Sequence, residues 1–205
     1  AVEFALSLPP GQAQENNLAN VASRWAASDV NGAMDWAKQL PEGKLRDNAL
    51  RNVASNWASQ DPQAAAQWAA SMSASDASGN LLRSVAQGWA QNSPAEAAAW
   101  VATLPVGSAQ NSAALSIVGT WAYQEPEAAA AWVGAFPEGK TRDSAMSSVM
   151  SGWAQNDPQG ANKWLEALPA GQSREKAVES FVDQVSYQEP ALAAKWVLEL
   201  SAVAG

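Results

Sequence analysis

Eleven Trp are the residues of this 205-residue chain best equipped to meet a ligand. An indole face can stack on a sugar ring or hold a cation. Ten of them fall into pairs: Trp25 and Trp36, Trp57 and Trp68, Trp89 and Trp100, Trp121 and Trp132, Trp153 and Trp164. The members of a pair are 11 residues apart, and each pair lies 32 residues from the next. Val185 and Trp196 continue the series, and Phe4 runs it backwards. Little else offers chemistry. The chain has no Cys and no His, so thiolate nucleophiles, disulfides and imidazole bases or metal ligands are absent. Charged pairs recur as Arg46-Asp47, Arg142-Asp143 and Arg174-Glu175, with Gln14-Glu15 and Gln110-Asn111 as weaker copies. An Arg row of that kind would suit an acidic tail, but the adjacent acid offsets its field, so ion pairing and acid at a helix start are expected instead. The Ser column at Ser84, Ser116, Ser148 and Ser180 has no base beside it and reads as a solvated stripe. No catalytic or metal-ligating residue is assigned, no cofactor is expected, and the chain is read as a non-enzyme.

Two kinds of helix must carry these residues. Phased after the Leu of Leu-Pro-x-Gly, the units are 9–40, 41–72, 73–104, 105–136, 137–168 and 169–200, with a partial unit at 1–8 and a tail at 201–205. Around residue 50, Pro41-Glu42-Gly43 breaks the chain. The spacing predicts a first helix from about Lys44 to Gln60, with Ala49/Leu50, Val53/Ala54 and Trp57/Ala58 on one face. Asp61-Pro62 restarts it, Asp as N-cap and Pro at the first helical position. Ser93-Pro94, Glu125-Pro126, Asp157-Pro158 and Glu189-Pro190 repeat the device. The second helix shows Ala65, Trp68, Ala69 and Met72 on one face and ends at the next Leu-Pro-x-Gly, where Pro disfavours helix in the residue before it. That motif resembles a sortase signal but lacks the Thr and recurs internally, so it is read as a turn. The unit starting at 73 lacks it, and Asp76 is expected to cap there in an irregular link.

A hairpin of this size cannot bury both faces alone, whereas stacked copies can. The expected fold is all-α, an α-solenoid of six antiparallel hairpins plus a partial N-terminal one, forming a single array over 1–205. Ala33, Ala65, Ala97, Ala129, Ala161 and Ala193 occupy one column, where a small residue lets helices approach. The Trp columns are expected in the core, with edge-to-face contact inside a pair. Tyr123 and Tyr187 lie off the stripe and are expected to be exposed.

The pattern resembles the tetratricopeptide and Sel1-like α-solenoid class: a paired-helix unit in the low thirties, Ala at the crossing, Pro between units. Where the tetratricopeptide consensus has Gly and Tyr, this chain reads Val-Ala-Ser-Asn-Trp-Ala from Val53 to Ala58. With Trp-Ala-x-x-Asp-Pro linking its helices, the chain also resembles a bacterial family of tandem Trp-Ala helical-hairpin repeats. Both resemblances span the chain. They imply a protein-interaction scaffold or adaptor and carry over no catalytic residue.

Charge narrows the partners. The formal net charge is -8, and no Lys or Arg lies between Arg83 and Lys140. Nucleic acid, which needs a basic face, is not an expected partner. No apolar run approaches the roughly 20 residues that span a bilayer, so no membrane insertion is expected. The chain begins on Ala1, which fits export with processing, proteolysis or trimming; a periplasmic or secreted place is favoured over the cytoplasm.

Within the basic-free stretch the outward positions of the second helices become small. They read Asn31, Asp35 and Lys38 in the first unit and Gln159, Lys163 and Glu166 in the fifth. In the third and fourth they read Ala95, Ala99, Ala102 and Glu127, Ala131, Gly134. A flat face of small residues would let another helix dock closely, and these six are the expected contacts of a protein partner or of a second copy. The alternative function is an extracytoplasmic carbohydrate- or peptide-binding module using exposed aromatics.

Overall fold

A computed structural model shows an all-α protein. The structure describes Ser7, Pro9 and residues 11–71 and 76–203, with side chains placed for 11–71 and 79–199. Among the described residues there are twelve helices and no strand. In chain order they are α1 (Gln12–Ala26), α2 (Val30–Gln39), α3 (Lys44–Gln60), α4 (Pro62–Ser71), α5 (Asp76–Ala90), α6 (Pro94–Thr103), α7 (Ser108–Gln124), α8 (Pro126–Gly134), α9 (Lys140–Asn156), α10 (Pro158–Ala167), α11 (Gln172–Val185) and α12 (Pro190–Val203). The partial unit at 1–8, apart from Ser7, and the link at 72–75 with its proposed Asp76 cap lie outside the described side chains. α5 runs through Gly79 and Asn80.

Two compact units divide the chain, Ala1–Ile117 and Val118–Gly205. In the first, α1, α3 and α5 pack successively side by side, and α2, α4 and α6 each pack on the helix before them. In the second, α9 packs on α11, while α8, α10 and α12 pack on α9 or α11. The core mixes Ala with larger side chains such as Leu18, Ile117, Met146, Phe181 and Trp196. Ala33, Ala65 and Ala97 are fully buried in the first unit, as are Ala129 and Ala161 in the second. Ala193 is buried as well. Gly88 marks a close approach: a Cβ there would lie 2.1 Å from the Ser55 carbonyl oxygen of α3.

The links explain the helix ends. Leu40, Leu104 and Leu168 close α2, α6 and α10 in extended backbone at ψ 147°, 152° and 135°. Proline following each one disfavours the helical conformation. The glycine of the turn acts on the next helix. Gly43 and Gly139 are the N-caps of α3 and α9, at φ 131° and 138° with extended ψ, a region open almost only to glycine.

Three of the second helices start on side-chain caps. Asp29, Asp61 and Asp157 accept hydrogen bonds from the amides of Gly32, Ala64 and Gly160 at 2.9, 3.1 and 2.9 Å. Glu125 instead accepts from Trp121 Nε1 at 3.1 Å and makes no cap bond. Ser93 makes no cap bond either, and Trp89 Nε1 is buried without an acceptor. One short hydroxyl thus leaves both donors unserved. Ser93→Asp is therefore expected to stabilise the protein by about 1 kcal/mol, the usual worth of an Asx cap. A raised urea midpoint at constant slope would show it, and a lowered midpoint would contradict the assignment.

Candidate partner-binding surfaces

The second helices present two different faces. α6 buries Pro94, Ala97, Ala98 and Val101. Its opposite face carries Ala95, Ala99 and Ala102, all exposed, at the spacing of one helical stripe. α8 buries Ala129, Ala130 and Val133 and exposes Glu127, Ala131 and Gly134. A Cβ at Gly134 would meet nothing within 4 Å, so that face is open. The triplet on α6 belongs to the first compact unit and that on α8 to the second. Each triplet shares one helix face. Equivalent positions in the first and fifth repeats are polar: Asp35 pairs with Lys38 at 3.7 Å on α2, and Glu166 pairs with Lys195 beside α10.

The Trp pairs meet as the spacing requires, with ring centroids 5.9, 6.1, 5.7, 5.6 and 5.9 Å apart. The rings are tilted by 31–47° rather than set edge to face. Both indoles leave facing helices at one level, so they slant past one another instead of meeting perpendicularly. Burial divides the columns. Trp89, Trp121 and Trp153 on first helices are buried, but Trp36, Trp68, Trp100, Trp132 and Trp164 on second helices are half-buried, as are Trp25 and Trp57. Periodicity told which way these side chains point but not how far an indole reaches past its neighbours. In the second unit a shallow groove of about 480 Å³ runs over Trp153 and Trp164, flanked by Glu127, Asp157, Gln159 and Lys163. Tyr123 and Tyr187 are exposed, the latter at 96%.

The sixth unit breaks the pattern. Val185 stands where the pair would need Trp, and Trp196 is fully buried. Its Nε1 donates to Asn162 Oδ1 at 2.8 Å, 34 residues back. Arg174 and Lys195 lie 5.1 and 5.3 Å from its ring centroid. Asn162 Nδ2 in turn donates to Glu166 Oε1 at 3.2 Å. Hydrogen bonds from Lys195 and then Asn162, with the Lys195 charge, hold the Glu166 carboxyl below its ordinary value of 4.5. This polar cluster is invisible in a repeat register, because Asn162 and Trp196 belong to different units.

The Arg column does structural work where it is paired. Arg46 reaches Glu42 at 3.6 Å, and Arg174 reaches Glu199 at 2.5 Å. Neither pairs with the adjacent acid of the sequence motif in these contacts. Among the described residues no helix is long and apolar enough to cross a membrane, and no group of three or more acidic residues is placed to hold a metal. No protein-family model, curated protein or solved structure matches this chain.

Proposed function

We propose that the hairpins are copies of one 32-residue unit in a tetratricopeptide-like α-solenoid, and that the array is a non-catalytic scaffold or adaptor for protein partners. One observation carries the reading: Ala95, Ala99 and Ala102 on α6, and Glu127, Ala131 and Gly134 on α8, are all solvent-exposed. Small exposed side chains leave a helix backbone accessible to close packing by another helix, and they lose little side-chain entropy when covered. A second copy of the chain is the partner that can be tested directly. Light scattering of the wild type should give a mass above the monomer, and Ala99→Lys with Ala131→Lys should return it to the monomer. Each Lys sets a charged, flexible side chain where close contact would bury it. Unchanged association in the double variant would overturn the assignment of the interface.

The groove over Trp153 and Trp164 favours a second reading, a saccharide- or peptide-binding module, because an indole edged by carboxylates, an amide and an ammonium suits a polyol ring. The scaffold reading expects two classes of Trp emission, one shielded from acrylamide and one partly quenched, neither altered by cello- or chito-oligosaccharides. A saturable spectral shift on adding either sugar would favour the second reading.

A further inference from the structure

We propose that Arg142 in the second unit receives a carboxylate from outside the chain, the side chain of an Asp or Glu on an acidic protein partner. The repeat supplies the template. Gln110 and Arg174 stand 32 residues before and after Arg142. Gln110 Nε2 donates to Val101 O at 3.1 Å, and Arg174 Nε donates to Leu165 O at 3.3 Å. Each bond runs back nine residues and serves a carbonyl at the end of the preceding helix. Arg174 then completes its guanidinium on Glu199, 25 residues ahead.

Arg142 is denied both partners. The carbonyl nine residues back is Val133 O, which accepts from the amide of Phe136 at 3.0 Å and receives no bond from Arg142 Nε. The position 25 residues ahead is Ala167, exposed and without an acceptor side chain, where Arg174 has Glu199. Arg142 Nε is accordingly buried with no acceptor. A desolvated guanidinium donor left unmade is costly, and an ionised acceptor restores more than a neutral one.

A cavity of about 150 Å³ adjoins it, lined by Arg142 with Glu138, Asp143, Gly171, Ser173 and Arg174. Two of the local charges are committed elsewhere. Asp143 Oδ1 accepts from Ser173 Oγ at 2.7 Å, and Arg174 is held by Glu199. Glu138, the copy of the Glu42 that pairs with Arg46, is the internal competitor. An incoming carboxylate, accepting from two donors of the guanidinium fork, would serve Arg142 Nε together with the Nη2 position that Glu199 serves one repeat later.

The proposal rests on the scaffold reading only for the source of the carboxylate, and acetate tests the pocket without any protein surface. The Nε–Hε resonance of Arg142, assigned by its loss in Arg142→Gln, should shift saturably with acetate and not with chloride at equal ionic strength. Arg46, already paired, should not shift in that way. N-acetyl-Ala-Glu-Ala-amide should saturate the same resonance at lower concentration than acetate. In Ala167→Glu the new side chain should occupy the site and remove the acetate response. No response beyond the chloride control would overturn the pocket, by Glu138 competition or otherwise, and would leave the tests of α6 and α8 standing. An undiminished response in Ala167→Glu would overturn the placement, and a peptide no tighter than acetate would overturn the protein source.

Discussion

Trp196→Ala is expected to cost about 3–5 kcal/mol, the range for deleting a fully buried large aromatic. The indole has almost no exposed surface and carries the one hydrogen bond that satisfies Asn162 Oδ1 in this contact. Removing it opens a cavity and leaves a buried amide oxygen short of a donor, two penalties that act in the same direction. Arg174 and Lys195 would also lose the ring they lie against. Trp164→Ala should cost clearly less, because that indole is half-buried and its loss is partly repaired by water. Urea unfolding followed by circular dichroism would compare the two. Equal losses would mean that the sixth unit is packed like the others and that the Asn162 bond contributes little.

Gly88→Ala should destabilise by about 1–3 kcal/mol, although alanine is the better helix former. The added methyl would lie 2.1 Å from the Ser55 carbonyl oxygen and 3.0 Å from Ala58 Cβ. Both contacts belong to α3, and the nearest atom is backbone, so relief requires α5 to move away from its neighbour. Gly119→Ala is the control. It lies in α7 with nothing within 4 Å of the added carbon, and should gain up to about 1 kcal/mol from propensity alone. Opposite signs at two helical glycines would separate close approach from propensity. A gain at both positions would mean that α3 and α5 are not held as closely as described.

The helix boundaries were legible in the sequence because their causes are local. Lys44–Gln60 follows from a glycine that opens it and an Asp-Pro step that closes it, and the helix observed is the one expected. The Ala column was legible because helical periodicity and side-chain size speak to the same burial. What escaped depends on contacts between units. Nothing near Val185 in sequence says that Trp196 will donate to Asn162 a unit earlier, and nothing near Arg142 says that its Nε will be buried without an acceptor. The caps show the same limit at close range. Glu125 and Asp157 occupy one column, yet one carboxylate turns to an indole and the other to an amide, because one extra methylene changes what is in reach. The five small positions on α6 and α8, and Glu127 with them, are exposed as expected. That exposure was legible because they lie opposite the apolar stripe, whereas a partner leaves no mark in periodicity.

The claim on which the rest depends is that one 32-residue unit is repeated in register. Excising residues 105–136 tests it directly, since the cut joins Leu104 to Pro137-Glu138-Gly139 and restores the Leu-Pro-x-Gly link. Circular dichroism and urea unfolding of the shortened chain should show a helical protein with a cooperative transition, while excision of 105–120, half a unit, should not. Loss of cooperative unfolding in the full-unit excision, or equal tolerance of the half-unit one, would contradict the repeat.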